Sequence, residues 1–593
     1  MTSTTGRGGV AGSSALMFSG TLVSRLLGMV RSPLLLGAAI GANLGASDAF
    51  AIANKLPNVI YLLIAGGVLN AVLVPALVRA MTRDDDGGQT YANRLITVFG
   101  VGLAAVTAVL TVAAHLLVRL YAGSLPPEWF DIAVAFAYWT VPQLFFYGMY
   151  TMLGQVLNAR GIFGPYMWAP ALNNVVAIAG LCVYLWVYGT AGTSNAAEAA
   201  AWDAGRIALL AGTATLGIVA QALVLAIPLY RSGFRYRFDL TLRGSGLGRA
   251  SRTATWVFAA VLVSQVSNIL VTRAAAGARQ RATTDGLPAL DVAGNQAYDN
   301  AYLLYSLPTS LVVVSLVTAL FTRMSTNAAT GETAKVRDDT SLALRVVGVF
   351  TAFVAPAMAV LALPLTRILN AAVTYPEVRS IAIVLACMVA GLVPVGAWTV
   401  LQRVYYAFEA ARHLFWIQVP TIAVLAVGAL VATRVEPHWT VPVVGLSMAL
   451  SNSLGVLLAY QQLGAYVPGL DVRRVAGSYL RVAPAAVPAV LVGWAVLHWW
   501  GTSAEMGVLG AVWRTLAVGA LMGVLYLVGL RVARVEELWT VAAPLLRIMA
   551  VVGRRVPGPI GRLLARVPRL ADRAPRPHGG SGTASAEERD TAD

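Results

Sequence analysis

Arg25 and Arg31 lie within Ser24-Arg25-Leu-Leu-Gly-Met-Val-Arg31, and apolar sequence runs on from them in both directions. A guanidinium keeps its proton at any physiological pH, and placing one at the centre of a bilayer costs roughly 2.5–3.5 kcal/mol on insertion scales. Such a charge persists where it faces a water-filled cavity or meets an anion. The pair therefore points to a cationic cavity inside a membrane and to an anionic cargo. The next apolar segment adds Asp48, Lys55 and Asn58, in Ser47-Asp48-Ala-Phe-Ala-Ile-Ala-Asn54-Lys55-Leu-Pro57-Asn58. The spacing of Asp48 and Lys55 puts both on one helix face. Pro57 interrupts the hydrogen-bond ladder and Gly66-Gly67 offers a second bend, so this helix can both line a cavity and hinge. For Arg31 and Asp48 the alternative is a place near the membrane surface, snorkelling or paired; Arg25 is deeper.

Other intramembrane polar groups are sparser. Asn173-Asn174 follow Ala169-Pro170 and can either line the cavity or hydrogen-bond between helices. Arg273 and Asp299 flank the opening of the second half; Arg273 is a candidate cavity cation, or a snorkelling arginine at a helix end. Trp139, Tyr147 and Trp168 read as interfacial or packing residues. Enzyme chemistry finds no support. There is no Gly-x-x-x-x-Gly-Lys-Ser/Thr loop for a nucleotide, Gly244-Ser-Gly246-Leu-Gly248 lacks dinucleotide spacing, and Asp84-Asp85-Asp86 reads as a solvated turn. The 5 histidines are scattered, and Cys182 and Cys387 sit in apolar runs. No metal and no cofactor is expected.

These residues need a scaffold of membrane helices. Of the 593 residues, 58% are hydrophobic and 12% charged, against about 25% charged in a soluble domain. Apolar segments fall at 13–40, 47–82, 93–121, 129–158, 163–188, 205–230, 252–278, 297–325, 341–370, 378–409, 413–433, 439–462, 479–499 and 507–530, each near the length of a span. The net charge of +16 lies mostly in connections and in the C-terminal segment. That fits anionic lipid headgroups and topology signals rather than nucleic acid. Basic residues such as Arg79, Arg94, Arg160, Arg235, Arg323 and Arg412 fall on alternate connections, which places that side and both termini in the cytoplasm. No cleavable signal peptide is evident.

The expected organisation is a cytoplasmic N-terminus (1–12), an N-lobe of six helices (13–230), a basic cytoplasmic loop (231–251) and a C-lobe of six helices (252–462). Two further helices (463–530), a basic interfacial segment (531–571) and a disordered cytoplasmic tail (572–593) follow. The halves resemble each other. Leu56-Pro57 with Ala76-Leu-Val-Arg79 answers Leu307-Pro308 with Ala319-Leu-Phe-Thr-Arg323, and Val141-Pro142 with Ala169-Pro170 answers Val393-Pro394 with Val419-Pro420. Such a parallel repeat predicts an all-α polytopic membrane protein. Two pseudo-symmetric lobes of about 14 helices in all would then surround a central substrate site.

The same residues are similar to the MurJ/MviN family of lipid II flippases. The likeness rests on Ser24-Arg25 to Arg31, Ser47-Asp48-Ala-Phe50 with Lys55-Leu-Pro-Asn58, Val74-Pro75, Leu157-Asn-Ala-Arg160-Gly-Ile-Phe163, Ala169-Pro170-Ala-Leu-Asn173-Asn174, Leu307-Pro308 and Tyr405-Tyr406-Ala407-Phe408. It implies a C-terminal helix pair forming a groove for a lipid tail, and as substrate an undecaprenyl-pyrophosphate-linked peptidoglycan precursor, lipid II. The pyrophosphate would be held by Arg25 and Arg31 with Lys55 adding a point charge and Asp48 holding the cations in place. Rocking of the lobes would carry the headgroup to the outer leaflet of the cytoplasmic membrane. Partners implied are the lipid-linked substrate, membrane lipids and other cell-wall assembly proteins.

The chain also departs from the family. Members often carry an arginine and an acidic residue just after Leu-Pro-Asn, where Val59–Gly67 has neither, and an arginine before the proline of the eighth helix, where Asn300–Tyr305 holds no cation. Arg273 is the residue that would compensate. Two alternatives share the sequence: an exporter of another polyprenyl-linked glycan, and a non-transporting scaffold of cell-wall assembly. A drug–cation antiporter would want acidic rather than arginine-rich cavity residues.

Overall fold

A backbone in lipid must satisfy its own hydrogen bonds, and each apolar stretch does so as a helix. The computed structural model describes residues 19–64, 86, 88–241, 251–501 and 506–535. The first half holds α1 (Ser19–Ile40), α2 (Gly45–Ile64), α3 (Gln89–Val112), α4 (Pro127–Ala159), α5 (Gly164–Tyr188) and α6 (Ala204–Arg231). The second holds α7 (Ser251–Thr284), α8 (Ala289–Ala329), α9 (Thr333–Val360), α10 (Tyr375–Val389 with Leu392–Ala407), α11 (Ala411–Ala432) and α12 (Thr440–Leu463). Helices α13 (Val472–Trp500) and α14 (Val508–Val532) complete the bundle. Among the described residues 12 helices are long and apolar enough to cross a membrane, and 13 with the two parts of α10 taken as one bent span. The remaining one, α2, reaches Ile64. The rest of its apolar run, with Gly66-Gly67 and Val74-Pro75, lies outside the described residues, as do 1–18, 242–250 and the segment from 536 onward.

Proline shapes the helices at equivalent places in the two halves. Pro57 lies inside α2 and Pro308 inside α8, while Pro170 lies inside α5 and Pro420 inside α11. Each pair is related by a shift of six helices. Around Val141-Pro142, α4 breaks into Pro127–Thr140 and Gln143–Ala159. In the same position of the repeat α10 breaks before Leu392 and bends by 49°. A proline lacks the N–H that would close the ladder and its ring crowds the preceding turn, so the break is local and repeatable. Pro33 in α1 and Pro308 in α8 are accommodated differently, by widened π-helical turns at Val30–Leu36 and Thr309–Val313.

Helices approach closely where side chains are small, as expected where lipid supplies no hydrophobic drive between them. Gly180 and Gly217 of α5 and α6 lie against Thr213 and Asn173, and Gly428 of α11 lies against Ser447 of α12. The two lobes have separate apolar cores that interlock at one end. There Ala276 of α7 joins the first core and Ala42, from the α1–α2 turn, joins the second. Helices α13 and α14 pack on α9 at the flank of the second lobe. The Tyr526 hydroxyl donates to Val349 O at 2.6 Å and the Tyr479 hydroxyl to Leu344 O at 3.1 Å. A Cβ at Gly529 of α14 would meet the Ala485 backbone of α13, with Cα at 2.9 Å and O at 3.1 Å. Gly529→Leu should therefore force the pair apart and lower stability by about 1–3 kcal/mol, read as a lower thermal midpoint of the detergent-solubilised protein.

Candidate functional site

The residues singled out above separate into a cavity, a buried ion pair and three positions outside both. The cavity, 330 Å3, lies between α1, α2, α4, α5 and α6 of the first lobe and α8 of the second. Arg31, Lys55 and Asn58 line it together with Asn54, Gln143, Tyr147, Gln296 and Asp299. Arg31 lies within the π-helical turn Val30–Leu36 of α1, two residues before Pro33. Among the described residues Arg31 makes no hydrogen bond or ion pair, so its five N–H donors remain available to the cavity. Lys55 is engaged: Nζ lies 2.8 Å from Asp299 Oδ1 across the lobe boundary and 5.8 Å from the centre of the Tyr298 ring. Amides complete the wall. Gln143 Nε2 donates to Asn54 Oδ1 (3.3 Å) and Thr215 Oγ1 (2.9 Å), and Gln296 Nε2 donates to Asn300 Oδ1 (2.9 Å). Asn300 donates in turn to Asn370 Oδ1 at 2.7 Å. The stretch Asn300–Tyr305, without a cation, thus supplies a buried amide relay.

Asp48 is elsewhere. It is fully buried at the start of α2, where its Oδ2 accepts from Arg279 Nη2 at 3.0 Å and Nε at 3.2 Å, and its Oδ1 from the Gln296 amide at 3.2 Å. Arg279, on α7, is 5% exposed. Gly294 is pressed against the same carboxylate, and a Cβ there would collide with it. The pair spans the two lobes. It belongs to a larger clasp at this end of the bundle, built on the turn after Gly41 (φ 72°). Glu377 Oε1 accepts from the amides of Ala42 (2.8 Å) and Asn43 (3.0 Å), while its Oε2 accepts from Thr374 N and Oγ1 in a capping box at the start of α10. Asn43 Nδ2 donates to Leu290 O and Ser380 Oγ, both at 2.7 Å.

The other three candidates stand outside the cavity lining. Arg25 lies about 9 Å further along α1 than Arg31 and donates to Ser310 Oγ of α8 at 2.6 Å, a third link between the lobes. Asn174 Nδ2 donates to Ser24 O at 2.8 Å and Ser24 Oγ at 3.2 Å, so it fixes α5 on α1 beside Arg25. Arg273 is exposed; its carbonyl accepts from Ser124 Oγ and its guanidinium lies by Gly123. Arg279, Gln296 and Glu377 were missed by the sequence reading. For Arg279 a signal existed. Ala275, Arg279 and Ala282 share one face of α7 at helical spacing and are all buried, whereas Arg273 lies off that face.

Fold and site together define a polytopic membrane transporter with a cation-bearing cavity between two repeat-related lobes. Residues 36–516 match the family described as lipid II flippase MurJ, and the chain belongs to that family. Among its relatives, the lipid II flippase MurJ of Burkholderia cenocepacia is 26% identical over 81% of this chain and 88% of its own length. The probable lipid II flippase MurJ of Bdellovibrio bacteriovorus is 25% identical over 77% and 83%. Among solved structures, a lipid II flippase MurJ in an inward closed conformation superposes with a TM-score of 0.65 at 17% identity, over 87% of this chain and 98% of that one. An inward-facing MATE-family multidrug transporter gives 0.55 at 12% identity, over 74% and 98%, a likeness of fold.

Removing one partner of a buried ion pair strands the other charge, at a penalty of about 3–5 kcal/mol. Arg279→Ala should therefore be strongly destabilising. Asp48→Ala in the same molecule should restore part of the loss, a coupling that a double-mutant cycle of thermal unfolding would measure.

Proposed function

We propose that this protein moves lipid II from the inner to the outer leaflet of the cytoplasmic membrane by alternating access, with both termini in the cytoplasm. The observation that carries the reading is Arg31, an arginine that among the described residues has no hydrogen bond or ion pair and that faces a polar cavity between the lobes of a MurJ-family chain. A diphosphate offers the planar, bidentate oxygen pairs that a guanidinium binds best.

In this reading Asp299 stands in for the cargo while the cavity is empty. Its carboxylate neutralises Lys55 at 2.8 Å, and an arriving phosphate takes the ammonium over. The cavity then holds two cations against the diphosphate, with Asn54, Asn58 and Gln143 as neutral hydrogen-bonding groups. Lys55 and Asp299 sit on opposite lobes, so cargo binding removes one of the links between them. The clasp at the α1–α2 turn is the outer gate. For the headgroup to leave, Asp48–Arg279 and the Ala42 and Asn43 bonds to Glu377 must part together, while Arg25 and Ser310 stay near the inner half. The lipid tail remains in the bilayer beside α13 and α14. Arg273, exposed beside Gly123 and outside the cavity lining, has no part in binding.

The test is translocation of lipid II in proteoliposomes, scored by headgroup accessibility on the trans leaflet. Arg31→Ala should slow transport at least about tenfold, the loss of one charge-assisted contact worth about 1.5–3 kcal/mol, with an unchanged thermal midpoint. Arg273→Ala should transport as wild type does. No transport by the folded wild-type protein would shift the case to another polyprenyl-linked glycan or to a scaffold of cell-wall assembly. Wild-type rates in Arg31→Ala would remove the diphosphate role.

A further inference from the structure

A second cavity, 600 Å3 and almost wholly apolar, lies on the outer flank of the first lobe, away from the inter-lobe site. It is a groove between α3, α4 and the end of α6, floored by Ile96, Val101, Met149, Leu153 and Leu229, with Phe145 on one wall. Its volume falls within the roughly 300–1,000 Å3 of ligand sites. One end is built differently. Tyr230 and Tyr236 line the mouth, and the Arg235 guanidinium lies 3.9 Å from the centre of the Tyr230 ring while donating to Tyr230 O at 2.8 Å. Arg231 and Arg237 are the sequence neighbours of the two tyrosines, and all three arginines are exposed.

The segment that carries this mouth is held in place. Asn93 Nδ2 donates to Arg235 O (3.2 Å), the Thr97 and Tyr236 hydroxyls meet at 2.9 Å, and the Asp239 amide donates to Thr97 Oγ1 (3.3 Å). Among the described residues the carboxylates at this end are engaged, Asp86 with the amides of Gly88 (2.9 Å) and Thr90 (2.8 Å) ahead of α3. Asp239 pairs with Arg94 at 3.3 Å and accepts from Thr241, whose hydroxyl and amide hold it below the usual carboxylate range. The rim is therefore cationic, aromatic and ordered, and it opens onto a hydrocarbon-lined slot. Amphipathic aromatics mark the headgroup level, and basic pockets between membrane helices suit anionic headgroups.

We propose that this groove is a binding site for an anionic glycerophospholipid of the surrounding bilayer, with one acyl chain in the slot and the phosphate at Arg235. Arg231 and Arg237 add field rather than fixed contacts. The site is independent of the cargo cavity, since no residue lines both.

Native mass spectrometry of the full-length protein, titrated in detergent with phosphatidylglycerol or phosphatidylcholine, tests it. Wild type should retain one phosphatidylglycerol at least about fivefold more tightly than phosphatidylcholine, and Arg235→Gln should cancel that preference, the effect of one cation at an anionic surface. Gly100→Leu supplies a second, uncharged variant. Gly100 lines the groove and a Cβ there meets only Met149 Sδ, at 3.6 Å, so the longer side chain should fit the helix, fill the slot and weaken both lipids alike. Equal retention of the two lipids by wild type would overturn the proposal, as would wild-type retention of phosphatidylglycerol by either variant.

Discussion

Charge inside a bilayer must be answered locally, and the way each intramembrane charge is answered organises this molecule. Asp48 is enclosed at the meeting of the two lobes, where water cannot help it, so its ionised form depends on Arg279 and on the Gln296 amide. Both come from the other half of the chain. The pair can form only when α2, α7 and α8 are brought to one point, and once formed it resists separation unless its members are rehydrated. Arg31 has the opposite arrangement: among the described residues no hydrogen bond or ion pair answers it, and it faces the cavity beside Tyr147. Lys55 lies between these extremes, answered by an Asp299 that remains partly accessible. Fixed, exchangeable and cavity-facing charges thus follow one another from the clasp into the cavity.

The sequence made the scaffold legible because lipid leaves the chain few choices. Apolar length and the paired prolines at 57 and 308, 142 and 394, and 170 and 420 predict both the helices and their parallel repeat, and the breaks in α4 and α10 fall beside the expected residues. Within the site, Arg31, Lys55 and Asn58 do line one cavity, as their crowding into the first hairpin suggests. Pairing was harder to see. The spacing of Asp48 and Lys55 puts them on one helix face, yet one enters the clasp and the other the cavity, because α2 crosses the lobe boundary along its length. The partner of Asp48 lies 231 residues away, and local spacing carries no information about such a contact. Choosing between Arg273 and Arg279 needed the burial periodicity of α7 rather than proximity to the membrane centre. Glu377 is hidden for another reason: its sequence signature is that of a helix cap, and its second role arises only from the turn that docks on it.

The departures from the family pattern acquire a physical meaning in this setting. Where the eighth helix lacks an arginine, Asn300 continues a chain of amides from Gln296 to Asn370. That chain holds α8 against Asn370, at the end of the short helix Ala362–Leu369 that follows α9, without adding charge. The cavity is left with few cations, and one of them is already partnered. A weakly charged cavity releases an anion as readily as it takes one, which suits a carrier more than a store.

Glu377 carries a last consequence. One of its oxygens closes the clasp, but the other is committed to Thr374 on its own helix. When the lobes part, the carboxylate is not abandoned as a stray charge, and α10 does not lose its first turn. What comes free is a pair of backbone amides at Ala42 and Asn43, which water satisfies at once. In the proposed cycle, resetting at Glu377 is then a docking event with no refolding step, because the helix end that receives the two amides is already formed.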